Sequence, residues 1–125
     1  MPIVDVELVY TSEAEPSSVS ASAVADAIGV ALGSARGTVW VRLRFLSDKC
    51  YAENQCLLSS AELPVFVTVL QARLPAEPDL ALQLSALTQA VAAVVARPVE
   101  RVHVQFAPEA AGRQAFGGRI VRASS

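Results

Sequence analysis

Only two cysteines, one histidine, one tryptophan and one methionine occur among the 125 residues of this chain. The single histidine argues against a zinc site, which draws most of its ligands from cysteine and histidine. Cys50 and Cys56 lie six residues apart in a polar stretch and could bridge in an oxidising compartment. No basic-then-apolar leader opens the chain, so reduced thiols and a cytoplasmic setting are expected. No apolar run approaches the roughly 18–20 residues of a membrane span. A net charge of −2 and a pI near 5.3 argue against nucleic acid and anionic membranes as partners.

What is present is apolar. Hydrophobic residues make up 53% of the chain and charged ones 18%, an apolar balance for a soluble monomer even with alanine inflating the figure. The length suits one domain, 1–125, and excess apolar surface on so small a chain favours self-association.

A strand pattern begins at once after Met1, as Pro2-Ile3-Val4-Asp5-Val6-Glu7-Leu8-Val9. Met1 is followed by a small residue and is expected to be trimmed, leaving Pro2 as a free secondary amine. An α-amine titrates near about 7.7–8.0, and burial or a neighbouring cation lowers that value towards a neutral base at cell pH. Retention of Met1 would instead turn the same nitrogen into an amide without basicity.

The chain reads strand–helix–strand twice. Ile3–Val9 alternates, a helix capped by Ser17 or Ser18 carries Val24, Ile28, Ala31 and Leu32, and Gly33 and Gly37 end it before the strand Val39–Phe45. Residues 47–62 are polar and irregular, a linker expected to hold a short hairpin. Val65–Leu70 is then β-rich, and Pro78-Asp79 starts a helix with the stripe Leu80, Leu84, Leu87, Val91 and Val94. Arg97-Pro98 stops it, and residues 101–106 alternate as a fourth strand. Val41–Phe45 matches Val102–Phe106 at an offset of 61 residues (102 − 41). These spacings predict a duplicated βαβ unit with halves at about 2–46 and 63–106, followed by a glycine-containing segment, 112–122.

Parity sorts the strands into two faces. Val4, Val6, Leu8, Val41, Leu43, Val65, Val67, Val69, Val102 and Val104 share the face that helices would cover. Asp5, Glu7, Trp40, Arg42, Arg44, Phe66, Thr68 and His103 share the other, a mixed surface suited to subunit contact or a site. Equally, Asp5 and Glu7 could simply pair with Arg42 and Arg44 in solvent.

Pro2 opening a strand, the doubled βαβ unit and Phe116-Gly117-Gly118 near the end together resemble the tautomerase superfamily. The similarity is to 4-oxalocrotonate tautomerase and its fused, double-length relatives. Val41-Arg42-Leu43 resembles the family's strand arginine, and Val69-Leu70-Gln71-Ala72-Arg73 its arginine after the first strand; in the other halves His103 and Ser12 stand at these places. The resemblance implies an α+β fold like that of macrophage migration inhibitory factor, with a four-stranded mixed sheet and two helices on one face. It further implies a homotrimer with sites at subunit contacts, no cofactor and no metal.

It also implies roles. Pro2 would move a proton beside a carbonyl, making the chain a keto–enol isomerase for a small carboxylate. Arg73, Arg42 and Arg44 would hold the substrate carboxylate or enolising oxygen, and Trp40 and Phe116 would wall the pocket. Leu63-Pro64, the internal counterpart of Met1-Pro2 within one residue, carries no amine. Tyr51 could donate to a substrate. Divergence between the halves is also compatible with the dehalogenase, hydratase or decarboxylase activities of fused relatives, or with a trimeric binding module that has lost catalysis.

Overall fold

Alternating valines build the centre of the molecule. The computed structural model describes residues 2–122. In it β1 (Ile3–Tyr10) buries Val4, Val6 and Leu8 on one face, and β3 (Val65–Leu70) buries Val65, Val67 and Val69. With β2 (Trp40–Ser47) and β4 (Val102–Phe106) they form one sheet in the order β2-β1-β3-β4. The outer pairs are parallel and the central pair antiparallel, giving a mixed four-stranded sheet. Two helices, α2 (Ala21–Leu32) and α3 (Asp79–Val95), cover the valine face and share its core through Val24, Ile28, Leu87 and Val91. The fold is α+β, as the resemblance implies.

The duplication is visible in the ladder. Val4 pairs with Val41 and Val65 with Val102, each pair 37 residues apart (41 − 4 and 102 − 65). Val6 and Val67, which are 61 residues apart, face each other across the antiparallel seam. A pseudo-twofold axis therefore passes between them, and the sheet has two comparable ends. One end holds Pro2, the start of β2 and the close of β3. The other holds Tyr10, Ser47 and the starts of β3 and β4.

Several local expectations are corrected. Ser17 and Ser18 fall in a separate helical turn, α1 (Glu15–Ser18), and the chain is extended at Val19 and Ser20. Ser20 is the cap of α2, its hydroxyl accepting the Ala23 N–H at 3.3 Å. A cap needs an extended residue before a run of helical ones, and only Ser20 meets that. Gly33 ends α2 at φ 60°, as expected, whereas α3 ends at Ala96 with φ 56°, one residue before Arg97-Pro98. On α3 the buried stripe is Leu87, Val91, Ala92 and Val95; Leu84 is 37% exposed, and Leu80 and Val94 are half-buried. The linker forms no hairpin. Two single turns, Asp48–Cys50 and Ser60–Glu62, flank side-chain contacts such as Ser59 N–H to Glu62 Oε1 at 2.9 Å. Cys50 and Cys56 are both exposed and unbridged.

Beyond β4 the chain forms a two-residue hairpin, β5 (Ala115–Phe116) and β6 (Arg119–Ile120). Gly117 and Gly118 make its turn with φ of 58° and 84°, the left-handed pair that tight hairpins require. Among the described residues no helix is long and apolar enough to cross a membrane.

Candidate active site

Pro2 lies at one end of the sheet, just ahead of β1 and between the start of β2 and the close of β3. Its carbonyl accepts the Trp40 N–H at 3.0 Å, which fastens it to the start of β2. Its neighbour Ile3 is flanked by Trp40 on one side and Leu70 on the other. Trp40 is 42% exposed, yet its indole is fixed twice. Its Nε1–H donates to the Gly37 carbonyl at 3.1 Å, and its ring meets Phe116 edge-on with centroids 4.9 Å apart. The glycine turn thus folds Phe116 back onto the strand that borders Pro2. The two expected wall residues are brought together, 76 positions apart in the chain (116 − 40).

Arg73 lies beyond β3, on the other side of β1 from Trp40. Three residues past Leu70, it follows a segment held against the chain beyond β4: Ala110 N–H donates to Gln71 O at 2.9 Å and Ala111 N–H to Ala72 O at 3.2 Å. Just after it, the Leu74 N–H donates to Glu109 Oε2 at 2.8 Å. The backbone of this turn is pinned while the Arg73 side chain is exposed and makes no hydrogen bond or ion pair among the described residues. A guanidinium on a fixed turn, free of partners, is suited to bind a carboxylate.

Arg42 is differently placed. Its Nε and Nη2 donate to Asp5 Oδ1 and Oδ2 at 2.6 and 2.9 Å, a two-pronged pair across the β1–β2 register. The hydrogen bond that Arg42 donates to Asp5, then the Asp5 charge, raises the Arg42 pKa above its ordinary value. Any substrate would have to compete with that carboxylate. Arg44 stands opposite Glu7 in the ladder, but no ion pair joins them, and Arg44 remains exposed on the open face. His103 packs beside Phe66, ring centroids 5.7 Å apart, on the same face.

The opposite end holds a network with no evident signal in the sequence. Arg97 is the one buried charged residue among those described, and its Nη2 donates to the Val9 carbonyl and Glu15 Oε1, each at 2.8 Å. Glu53 accepts from Tyr51 Oη at 2.7 Å and from Arg101 Nη2 at 2.6 Å. Tyr51 therefore sits at the end of the sheet away from Pro2. Burial, and after it the Glu53 carboxylate, pushes the Tyr51 phenol up. The Tyr51 hydrogen bond and then the Arg101 one pull Glu53 down. A carboxylate lowered on folding stabilises the native state at pH above its unfolded value, about 4.3, and that contribution is lost as pH falls through the lower folded value. Glu53→Gln should therefore flatten the acid side of a melting-temperature profile recorded from pH 7 to 3.

Solved structures share this fold. A fused 4-OT wild-type asymmetric trimer is 16% identical, with a TM-score of 0.72 and 98% of this chain matched to 96% of that one. Malonate semialdehyde decarboxylase is 20% identical at a TM-score of 0.61, covering 92% of this chain and 90% of its own. A macrophage migration inhibitory factor from Oncomelania hupensis is also 20% identical, at 0.65, covering 99% and 84%. This chain has the tautomerase-superfamily fold. No family model and no curated protein matches its sequence. The tautomerase fold puts the start of β1, the start of β2 and the close of β3 at one end, which is where Pro2, Trp40 and Arg73 stand.

Proposed function

We propose that the chain is an isomerase that uses the amine of Pro2, freed by loss of Met1, to move a proton on a small 2-oxo or 2-hydroxy-dienoate acid. The observation that carries this reading is the position of Pro2 between the Trp40–Phe116 wall and the turn bearing Arg73. From a 2-oxo acid the amine takes a proton from carbon beside the carbonyl and returns it further along the conjugated system. From an enol it takes the hydroxyl proton and delivers a proton to carbon, leaving the ketone. Arg73 holds the carboxylate and the developing enolate oxygen, where a fixed cation lowers the barrier. Trp40 and Phe116 exclude water and, by desolvation, favour the neutral amine. Arg42 serves the same anion only where the substrate carboxylate displaces Asp5 from its fork.

The chain works as a homotrimer in this reading, as fused 4-OT structures described as trimers do. Arg44 and the open face bearing Asp5, Phe66 and His103 then meet neighbouring subunits. Among the fold neighbours, malonate semialdehyde decarboxylase is described with decarboxylase and hydratase activities and was also solved with its first-position proline changed to alanine. Proton transfer by the same amine to a product carbanion, or to the substrate carbon next to the one that a water attacks, would give this chain those alternatives.

Proton NMR of phenylenolpyruvate or 2-hydroxymuconate should show ketonisation accelerated over buffer. Arg73→Ala should cost about 1.5–3 kcal/mol in kcat/KM, the range of a hydrogen bond to a charged group, with Arg73→Lys recovering part. The fold should survive, since Arg73 is an exposed residue on a turn held by its backbone. Unchanged turnover of a carboxylate substrate by Arg73→Ala would remove this residue from the site.

A further inference from the structure

The chain beyond β4 does more than carry Phe116. Ala107 N–H still donates to the Val69 carbonyl at 2.9 Å, and the residues after it run along the turn that follows β3. On that turn Arg73 is followed by Leu74 and Pro75. Pro75 has no N–H of its own and disfavours a helical Leu74, so the Leu74 N–H cannot be absorbed into a helix. A half-buried backbone donor in an irregular segment needs a partner. The half-buried Glu109 supplies it, Oε2 accepting at 2.8 Å.

These bonds fall on both sides of Arg73. The peptide before it presents the Ala72 carbonyl, which accepts the Ala111 N–H at 3.2 Å. The peptide after it presents the Leu74 N–H, which Glu109 accepts. Two residues of one segment thus hold both peptide planes that flank Arg73, and with them its φ and ψ. Because the Arg73 side chain is exposed and makes no hydrogen bond or ion pair among the described residues, the backbone is what directs it. The same segment continues to the aromatic wall. Arg113 and Gln114 N–H donate to the Ala110 carbonyl at 2.8 and 2.9 Å. Gly112 N–H donates to Val121 O at 2.8 Å and Val121 N–H to Gln114 O at 2.7 Å, closing the base of the hairpin that sets Phe116 on Trp40. Residues 107–121 are therefore one strap, fastened at one end to the backbone around Arg73 and at the other to the wall.

We propose that Glu109 is a positioning residue for the substrate carboxylate, acting through the Leu74 N–H. Its hydrogen bond fixes the direction in which Arg73 leaves the turn, and the strap sets the spacing between that guanidinium and the Trp40–Phe116 wall. The proposal rests on the reading of Arg73 as the carboxylate clamp. Glu109 touches neither the substrate nor the Arg73 side chain in this scheme. What matters is the reach of an acceptor oxygen, not its charge.

Two variants separate reach from charge. Glu109→Gln keeps an acceptor oxygen at the same reach and removes the charge, whereas Glu109→Asp keeps the charge and withdraws the oxygen by one methylene. On phenylenolpyruvate, Glu109→Asp should raise KM about five- to tenfold with kcat held within about twofold. Glu109→Gln should stay within about twofold of the parent in both. In an Arg73→Ala background, Glu109→Asp should change kcat/KM by less than about twofold, because the residue it acts through is gone. An unchanged KM in Glu109→Asp, an equal loss in Glu109→Gln, or the same loss with and without Arg73 would each overturn the proposal. If Arg73→Ala itself turns over like the parent, the clamp reading fails and the role of Glu109 falls with it; if Arg73→Ala is impaired and Glu109→Asp is not, only the proposal fails.

Discussion

Pro2→Ala should lower the ketonisation rate by about a hundredfold, the low end of the 10²–10⁴ that a positioned base contributes. The low end applies because an alanine amine remains, with an extra N–H and without the ring that sets its direction. Extending the chain by one residue ahead of Pro2 should cost more, up to about 10⁴, because the nitrogen then becomes an amide. The backbone link to Trp40 runs through the Pro2 carbonyl, not its nitrogen, so neither change should loosen the sheet. Both variants should therefore melt like the parent while losing activity. A loss of activity accompanied by a collapsed melting temperature would point to folding instead.

Ile28→Ala should destabilise the protein by about 2–5 kcal/mol. Ile28 is fully buried on α2 and packs in the cluster with Val4, Val6 and Leu87. The range covers the lost transfer free energy together with the cavity that remains. A domain of this size is typically stable by only about 5–15 kcal/mol, so the change consumes much of the margin. Val30→Ala, two residues along the same helix, should change stability by less than about 0.5 kcal/mol, because Val30 is 84% exposed. Urea denaturation of the two variants checks both values. Comparable losses would mean that Val30 is covered in the assembled protein.

The sheet was legible because strand parity is strict. Val4, Val6 and Leu8, and Val65, Val67 and Val69, take one face by alternation alone, and the repeat at 61 residues reappears as the pairing of Val6 with Val67. The turns that require a left-handed residue were legible for a similar reason, as at Gly33 and Gly117-Gly118. Trp40 and Phe116 could be placed in one wall only through the family resemblance, since nothing local ties residues so distant.

What escaped the sequence depends on tertiary contact. Ser17, Ser18 and Ser20 are chemically equal caps until the backbone at Val19 and Ser20 is seen to be extended. The exposure of Leu84 follows from how α3 is rotated on the sheet, which a stripe of leucines with more than one possible phase does not specify. Arg97 looked like a helix stop beside Pro98, whereas its importance comes from Glu15 and Val9, more than 80 residues earlier. Arg42 showed both of its roles in advance, and the register decides that Asp5 holds it in this chain.

The central claim is that the nitrogen of Pro2 is a free, titrating amine that carries the proton. The pH dependence of kcat/KM, measured on protein whose intact mass corresponds to a chain starting at Pro2, tests it most directly. The account predicts one ionisation at or below the ordinary α-amine range of about 7.7–8.0. Activity falls on its acid side when Pro2 acts as a base, and on its alkaline side when Pro2 acts as an acid in a hydratase-type reaction. A profile flat through that range, shared by wild type and Pro2→Ala, would contradict it.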